Sequence, residues 1–161
     1  MHPSESARQM LNSSNNFAIA NSPLPAWTRF RPVDPGWLYI IRNSDLYKVG
    51  KTTDPRRRLK EARTWLPASE IVGVKPFWNI HTFERTLLAG IANHWLEGEW
   101  HQFPDESYSD FLVAGFRMFD DHDRAKNTVD FGYWINGSGM AEVIMEQQHR
   151  RLSLRRWQRE C

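Results

Sequence analysis

Basic side chains gather in two places along the chain: Arg56-Arg57-Arg58-Leu59-Lys60, and, near the end, Arg150-Arg151 with Arg155-Arg156. Such clusters suit a polyanion, and Arg matches phosphate in particular because its planar fork donates two parallel hydrogen bonds. The whole chain carries only +2, since 21 basic residues face 19 acidic ones. A nucleic-acid partner would therefore be met by local clusters and not by a global field. The first cluster sits at the start of an expected helix, where positive charge opposes the helix dipole, so it has some reason for being there other than helix stability. His94 and His101 lack a third ligand at a spacing that would complete a zinc site.

The elements that must position these groups follow from local patterns. Trp37-Leu38-Tyr39-Ile40-Ile41 and Leu46-Tyr47-Lys48-Val49-Gly50-Lys51 are rich in strand-favouring residues and flank turn chemistry at Arg42-Asn43-Ser44-Asp45. They read as a hairpin that begins near Gly36. A loop centred on Asn43-Ser44 would set Ile41 opposite Leu46, Tyr39 opposite Lys48 and Trp37 opposite Gly50, with Leu38, Ile40, Tyr47 and Val49 on the core face. Asp54-Pro55 starts a helix, with Asp54 as cap and Pro55 at the first position, running to about Arg63. Residues 71–77 read as a third strand. Thr82 can cap a second helix whose stripe Phe83, Leu87, Ile91, Trp95 recurs at spacing four, ending at Gly98. Residues 99–103 read as a short closing strand or an extended segment. Further on, residues 108–120 read as helix, 131–139 as loop because of Asn136-Gly137-Ser138-Gly139, and 140–157 as a last helix with poor apolar spacing.

Apolar residues make up 40% of the 161, and eight Trp with nine Phe supply large side chains for a core. Cys161 is the sole cysteine, which excludes an intrachain disulfide and a multi-cysteine zinc site. The N-terminus lacks the basic start and apolar run of a signal peptide, and no apolar stretch approaches a membrane span. A reducing, cytoplasmic setting is expected, with no membrane partner. Three regions emerge: a flexible N-terminal arm at 1–30, where Asn12 to Asn16 are polar and only residues 17–20 and Trp27 suggest docking; a central domain at 31–104; and a helical C-terminal extension at 105–161 with a basic end.

The order of hairpin, Asp-Pro-started basic helix, strand, Glu-bearing helix and Gly-Glu-Trp resembles the GIY-YIG nuclease superfamily. It is closest to the branch common in phage and bacterial proteins, whose second motif reads Lys-Ile-Gly. The resemblance is carried by Gly36-Trp37-Leu38-Tyr39-Ile40-Ile41, Leu46-Tyr47-Lys48-Val49-Gly50-Lys51-Thr52, Asp54-Pro55 through Arg58-Leu59, Glu84 in Phe83-Glu84-Arg85-Thr86-Leu87, and Gly98-Glu99-Trp100. It covers about 70 residues. It implies an α/β fold: a small, mostly antiparallel three-stranded sheet flanked by helices, to which the helical extension is added.

The resemblance also implies metal-dependent endonuclease cleavage of phosphodiester bonds in DNA, with RNA still open. Tyr39 would activate the attacking water, Arg58 would contact the scissile phosphate, and Glu84 would hold one Mg²⁺ or Mn²⁺. A single carboxylate suits Mg²⁺, which keeps most of its waters. A free phenol titrates near ~10, and a nearby cation favours the phenolate; opposite Tyr39 in the expected register, Lys48 is the candidate for that role or for the phosphate. Lys51, Arg56, Arg57, Lys60, Arg150, Arg151, Arg155 and Arg156 are the expected nucleic-acid contacts. Lys48 stands where the superfamily's second motif carries Tyr, which opens a rival reading: a nucleic-acid-binding module that has lost cleavage. A phage-type factor acting through a protein partner is a second rival. Oligomeric state is not legible.

Overall fold

A computed structural model describes residues 32–160, with the backbone alone at 107, 108 and 155–160. The expectations for residues 1–30, among them docking by 17–20 and Trp27, lie outside the described residues, as does Cys161. Strands β1 (Gly36–Asn43) and β2 (Leu46–Thr52) form the hairpin. Its turn is Ser44-Asp45, with Asn43 facing Leu46 and Ser44 at φ 59. The register therefore differs from the expected one: Tyr39 faces Gly50, Ile41 faces Lys48 and Trp37 faces Thr52. A slip of two positions leaves every side chain on its expected face, so Leu38, Ile40, Tyr47 and Val49 still point into the core.

The sheet has five strands in the order β3-β1-β2-β5-β4, all paired antiparallel, where the sequence predicted three. Strand β3 (Glu70–Phe77) lies beside β1. The two additional strands are short, β4 (Trp95–Glu97) and β5 (Trp100–Gln102), and turn about Gly98 at φ 55. Gly supplies that left-handed conformation without a Cβ penalty, and Trp95 Nε1 donates to the Gly98 carbonyl at 2.8 Å. The expected helix to Gly98 thus stops earlier. Phe83, Leu87 and Ile91 are buried as the stripe predicted, but Trp95 has left the helix and is 60% exposed.

Helix α1 (Pro55–Trp65) starts as read, Asp54 accepting from the Arg57 amide at 3.2 Å with Pro55 in the first turn. Helix α2 (Ile80–Gly90) begins earlier than Thr82. Asn79 precedes it at φ 54, a conformation Asn tolerates, and its amide donates to Val33 O at 2.7 Å. Gly90 closes α2 where a Cβ would meet Met140 Cβ at 2.9 Å. Helices α3 (Glu106–Arg117), α4 (Arg124–Gly137) and α5 (Met140–Glu160) complete the chain.

Helix α4 corrects the expected loop at 131–139. Asp123 caps it by accepting from the Lys126 amide at 3.1 Å, and Phe131, Trp134 and Ile135 are buried. The Asn-Gly-Ser-Gly run ends this helix instead of spanning a loop. Phe131 stacks on Phe83 at 4.2 Å, and Phe77 meets Phe83, Phe119 and Phe131 edge-on. Offset and edge-to-face rings of this kind add stability beyond their buried area. Asn127 is fully buried: its amide donates to Pro76 O (3.1 Å) and Asp120 O (2.7 Å), and its oxygen accepts from the Asp120 amide (2.8 Å). One apolar cluster runs from Leu38 and Ile40 through these rings to Met140 and Ile144 of α5. No helix among the described residues is long and apolar enough to cross a membrane.

Candidate active site

Tyr39 lies on the β1 face opposite Leu38 and Ile40, and its ring crosses over Gly50 on the neighbouring strand. A Cβ at residue 50 would sit 2.8 Å from Tyr39 Cε2 and closer still to the phenol end of the ring. The glycine thus makes room for the phenol. Arg58, on α1, reaches the same spot. Its Nε donates to Tyr39 Oη at 2.9 Å, and its guanidinium carbon lies 5.6 Å from the ring centroid. Glu61 accepts from Arg58 Nη1 at 3.4 Å. The bond to Tyr39, more than the one to Glu61, raises the Arg58 pKa and keeps the side chain charged. The cation at the phenol oxygen is therefore Arg58, and the expected Tyr39–Lys48 pairing is replaced.

Strand β5 pairs with Leu46, Tyr47 and Lys48 only, so beyond Lys48 that side of β2 is an open edge among the described residues. Side chains from both faces of the sheet meet around this edge. Tyr39 and Arg58 come from one face, and Lys51 and Glu84 from the other. Together with Gly50 and Glu99 they line one cavity of about 710 Å³. Glu84 stands on α2, its side chain 16% exposed, with Lys51 Nζ at 3.2 Å. Lys48 does not line the cavity; its Nζ binds Glu99 at 2.7 Å. That bond holds the Glu99 carboxyl below the usual carboxylate range.

Three polar cavity residues carried no site role in the sequence reading. Glu99 entered it only as part of Gly98-Glu99-Trp100 and of the closing segment. His101, on β5 and 5% exposed, faces Tyr47 of β2, and its Nδ1 is buried without a hydrogen-bond partner among the described residues. Burial holds His101 below the ordinary histidine pKa. Gln147 arrives from α5, and nothing in its local sequence marks it.

The remaining predicted residues are dispersed. Arg56, Arg57 and Lys60 are exposed on α1, and Arg57 is paired with Glu61 at 3.2 Å. Arg150 is paired with Glu146 at 2.6 Å, while Arg151 is exposed. The side chains of Arg155 and Arg156 lie outside the described residues. No group of three or more His, Cys, Asp or Glu that could hold a metal occurs among the described residues. The cavity does offer carboxylate oxygens, Glu84 and Glu99, in a space of mixed polar and apolar lining. That donor set fits a hard divalent ion that keeps most of its waters, provided Lys51 yields its place at Glu84 and Lys48 shares Glu99.

The architecture is thus that of an α/β protein whose antiparallel sheet opens at one edge onto a cavity holding a phenol, a guanidinium and two carboxylates. Residues 36–114 match the family model described as the T5orf172 domain. That domain family is GIY-YIG-like and associated with phage-type endonucleases, which points to a nuclease-like or DNA-related role. The match ends within α3 and leaves α4 and α5 outside it. No curated protein and no solved structure matches the chain.

Proposed function

We propose that the chain is a metal-dependent endonuclease that hydrolyses phosphodiester bonds in DNA by a GIY-YIG-type mechanism. The observation that carries this reading is the convergence of Tyr39, Arg58 and Glu84, from β1, α1 and α2, on one cavity. A phosphodiester gains negative charge at its oxygens as water attacks, so catalysis calls for a cation at those oxygens and an oriented nucleophile. Arg58 supplies the cation, with donors beyond the one it gives Tyr39. Tyr39 Oη, fixed by that bond, orients the attacking water and takes part in moving its proton. Glu84 is the residue that would hold Mg²⁺ or Mn²⁺, with Glu99 as a second carboxylate in reach of the same space. A bound divalent ion contributes Lewis acidity and charge neutralisation. Lys48 fixes Glu99, and Lys51 stands ready to move from Glu84 to a phosphate.

A second reading is a nucleic-acid-binding module without cleavage. The Lys51–Glu84 ion pair favours it, because it satisfies the carboxylate without a metal. The test is cleavage of supercoiled plasmid and of single-stranded DNA with Mg²⁺, Mn²⁺ or chelator, comparing wild type with Glu84→Ala and Arg58→Ala. Metal-dependent cutting lost in both variants supports the nuclease. Salt-dependent binding without cutting in all three proteins supports the binding module. Cutting that survives both substitutions refutes the assignment of the site.

A further inference from the structure

The cavity continues beyond the candidate active site. Leu88, Ala92 and Gln147 line it and also line a second cavity of about 460 Å³ between α2 and α5. The second space presents Arg85 and Arg151 together with Gln148, and none of the residues lining it is acidic. Both arginines are exposed. Among the described residues neither Arg85 nor Arg151 forms an ion pair, whereas Arg57, Arg58 and Arg150 all do. On α5, Gln147 and Arg151 are four residues apart and so share one face. Gln147 therefore stands at the junction of the two spaces, with Arg151 further along.

We infer that the groove between α2 and α5 is a backbone subsite for the nucleic-acid strand. Arg85 and Arg151 bind phosphates some way from the scissile one, and Gln147 bridges the two sites. The chemistry is that of phosphate positioning: two guanidiniums without an ion-pair partner among the described residues, each able to take a phosphate in a bidentate manner, in a groove lined by neutral donors and no carboxylate. The proposal rests on the nuclease reading for its substrate, but its readout is binding. It assigns a task to the C-terminal helix, which lies outside the T5orf172 match.

The test measures equilibrium binding of fluorescein-labelled 20-mer single-stranded DNA, the corresponding duplex and the same sequence as RNA. Full-length wild type is compared with the double variant Arg85→Gln/Arg151→Gln and with Arg63→Gln. Arg63→Gln removes an exposed charge that lines neither cavity and serves as the control. The double variant is expected to bind roughly 10-fold more weakly, with the slope of log K against log salt shallower by about 2. Arg63→Gln should change the slope by less than half as much. Hydrolysis of bis(4-nitrophenyl) phosphate, a diester with no strand to extend into the groove, should be equal in wild type and double variant. An unchanged affinity and slope in the double variant would overturn the subsite, and so would an equal loss in Arg63→Gln. A wild type that binds none of the three probes would overturn it too. If binding behaves as expected while no protein cleaves DNA or the small diester, the nuclease reading fails and the subsite stands. Preference among the three probes identifies the strand type the groove takes.

Discussion

Replacing Gly50 with Ala tests how the phenol is held. The new methyl would stand 2.8 Å from Tyr39 Cε2 and nearer still to Cζ and Oη, where ordinary contact begins at 3.4 Å. The ring edge must therefore withdraw by at least about 0.6 Å, and the hydroxyl by more. Tyr39 is only 2% exposed, and it borders the site cavity, so a displaced ring would intrude on the site itself. The Arg58 Nε–Tyr39 Oη distance of 2.9 Å, lengthened by that amount, leaves hydrogen-bond range. Overpacking of this kind costs about 1–3 kcal/mol, which for a chain of this size lowers Tm by roughly 2–4 °C per kcal/mol. Displacing a reacting group by ~1 Å typically costs ~100-fold in rate. The expected result is a protein that still folds and binds DNA within about 3-fold of wild type, with single-turnover cleavage down ~100-fold. Tyr39→Phe, which keeps the ring and removes the oxygen, should lose cleavage to a similar degree with a smaller fall in Tm. Wild-type cleavage in Gly50→Ala would refute the claim that ring placement matters. Full activity in Tyr39→Phe would refute the role of the oxygen.

Lys51→Met frees the Glu84 carboxylate from its cation at 3.2 Å, so Mn²⁺ affinity without DNA, followed by electron paramagnetic resonance, should rise by about 3–10-fold, a gain of ~1 kcal/mol. Asn127→Ala removes three hydrogen bonds, one buried and two part-buried, and strands their backbone partners; urea unfolding should show a loss of about 2–4 kcal/mol. Burial holds the pKa of both His94 and His101 below the ordinary 6.5. Each group is therefore protonated more readily in the unfolded chain. Stability should be full above pH ~6.5 and fall progressively as pH drops from there toward the lowered folded values. His101→Gln should flatten that fall between pH 7 and 5 in chemical denaturation.

Strand faces, the Asp54-Pro55 helix start and the α2 stripe were legible because each depends on local periodicity or a cap. Register was not: a shift of two residues preserves both faces, and the choice rests on where the turn forms. Ser44 adopts φ 59 and moves the turn to Ser44-Asp45, which moved Tyr39 from Lys48 to Gly50. Helix α4 was hidden because Phe131 and Trp134 show their purpose only when Phe83 is present to stack on the first and Phe119 to meet the second edge-on. Strands β4 and β5 are each three residues long, too short to leave a periodic signal. Tyr39, Arg58 and Glu84 were named from motif resemblance, but their meeting depends on the open edge of β2. The Arg58–Tyr39 bond spans 19 positions, and no local pattern records it. Glu99 was overlooked as a partner for Lys48 for the same reason.

The continuous apolar cluster also bears on how this domain can be transplanted. Phe83 belongs to the T5orf172 match, and the ring stacked against it, Phe131, does not. Met140 and Ile144 likewise cover α2 from beyond the match. A fragment cut at the family boundary would carry the candidate catalytic trio intact and yet present a greasy wall where α4 and α5 had been. Grafted onto another protein, it would need a replacement lid of equal shape.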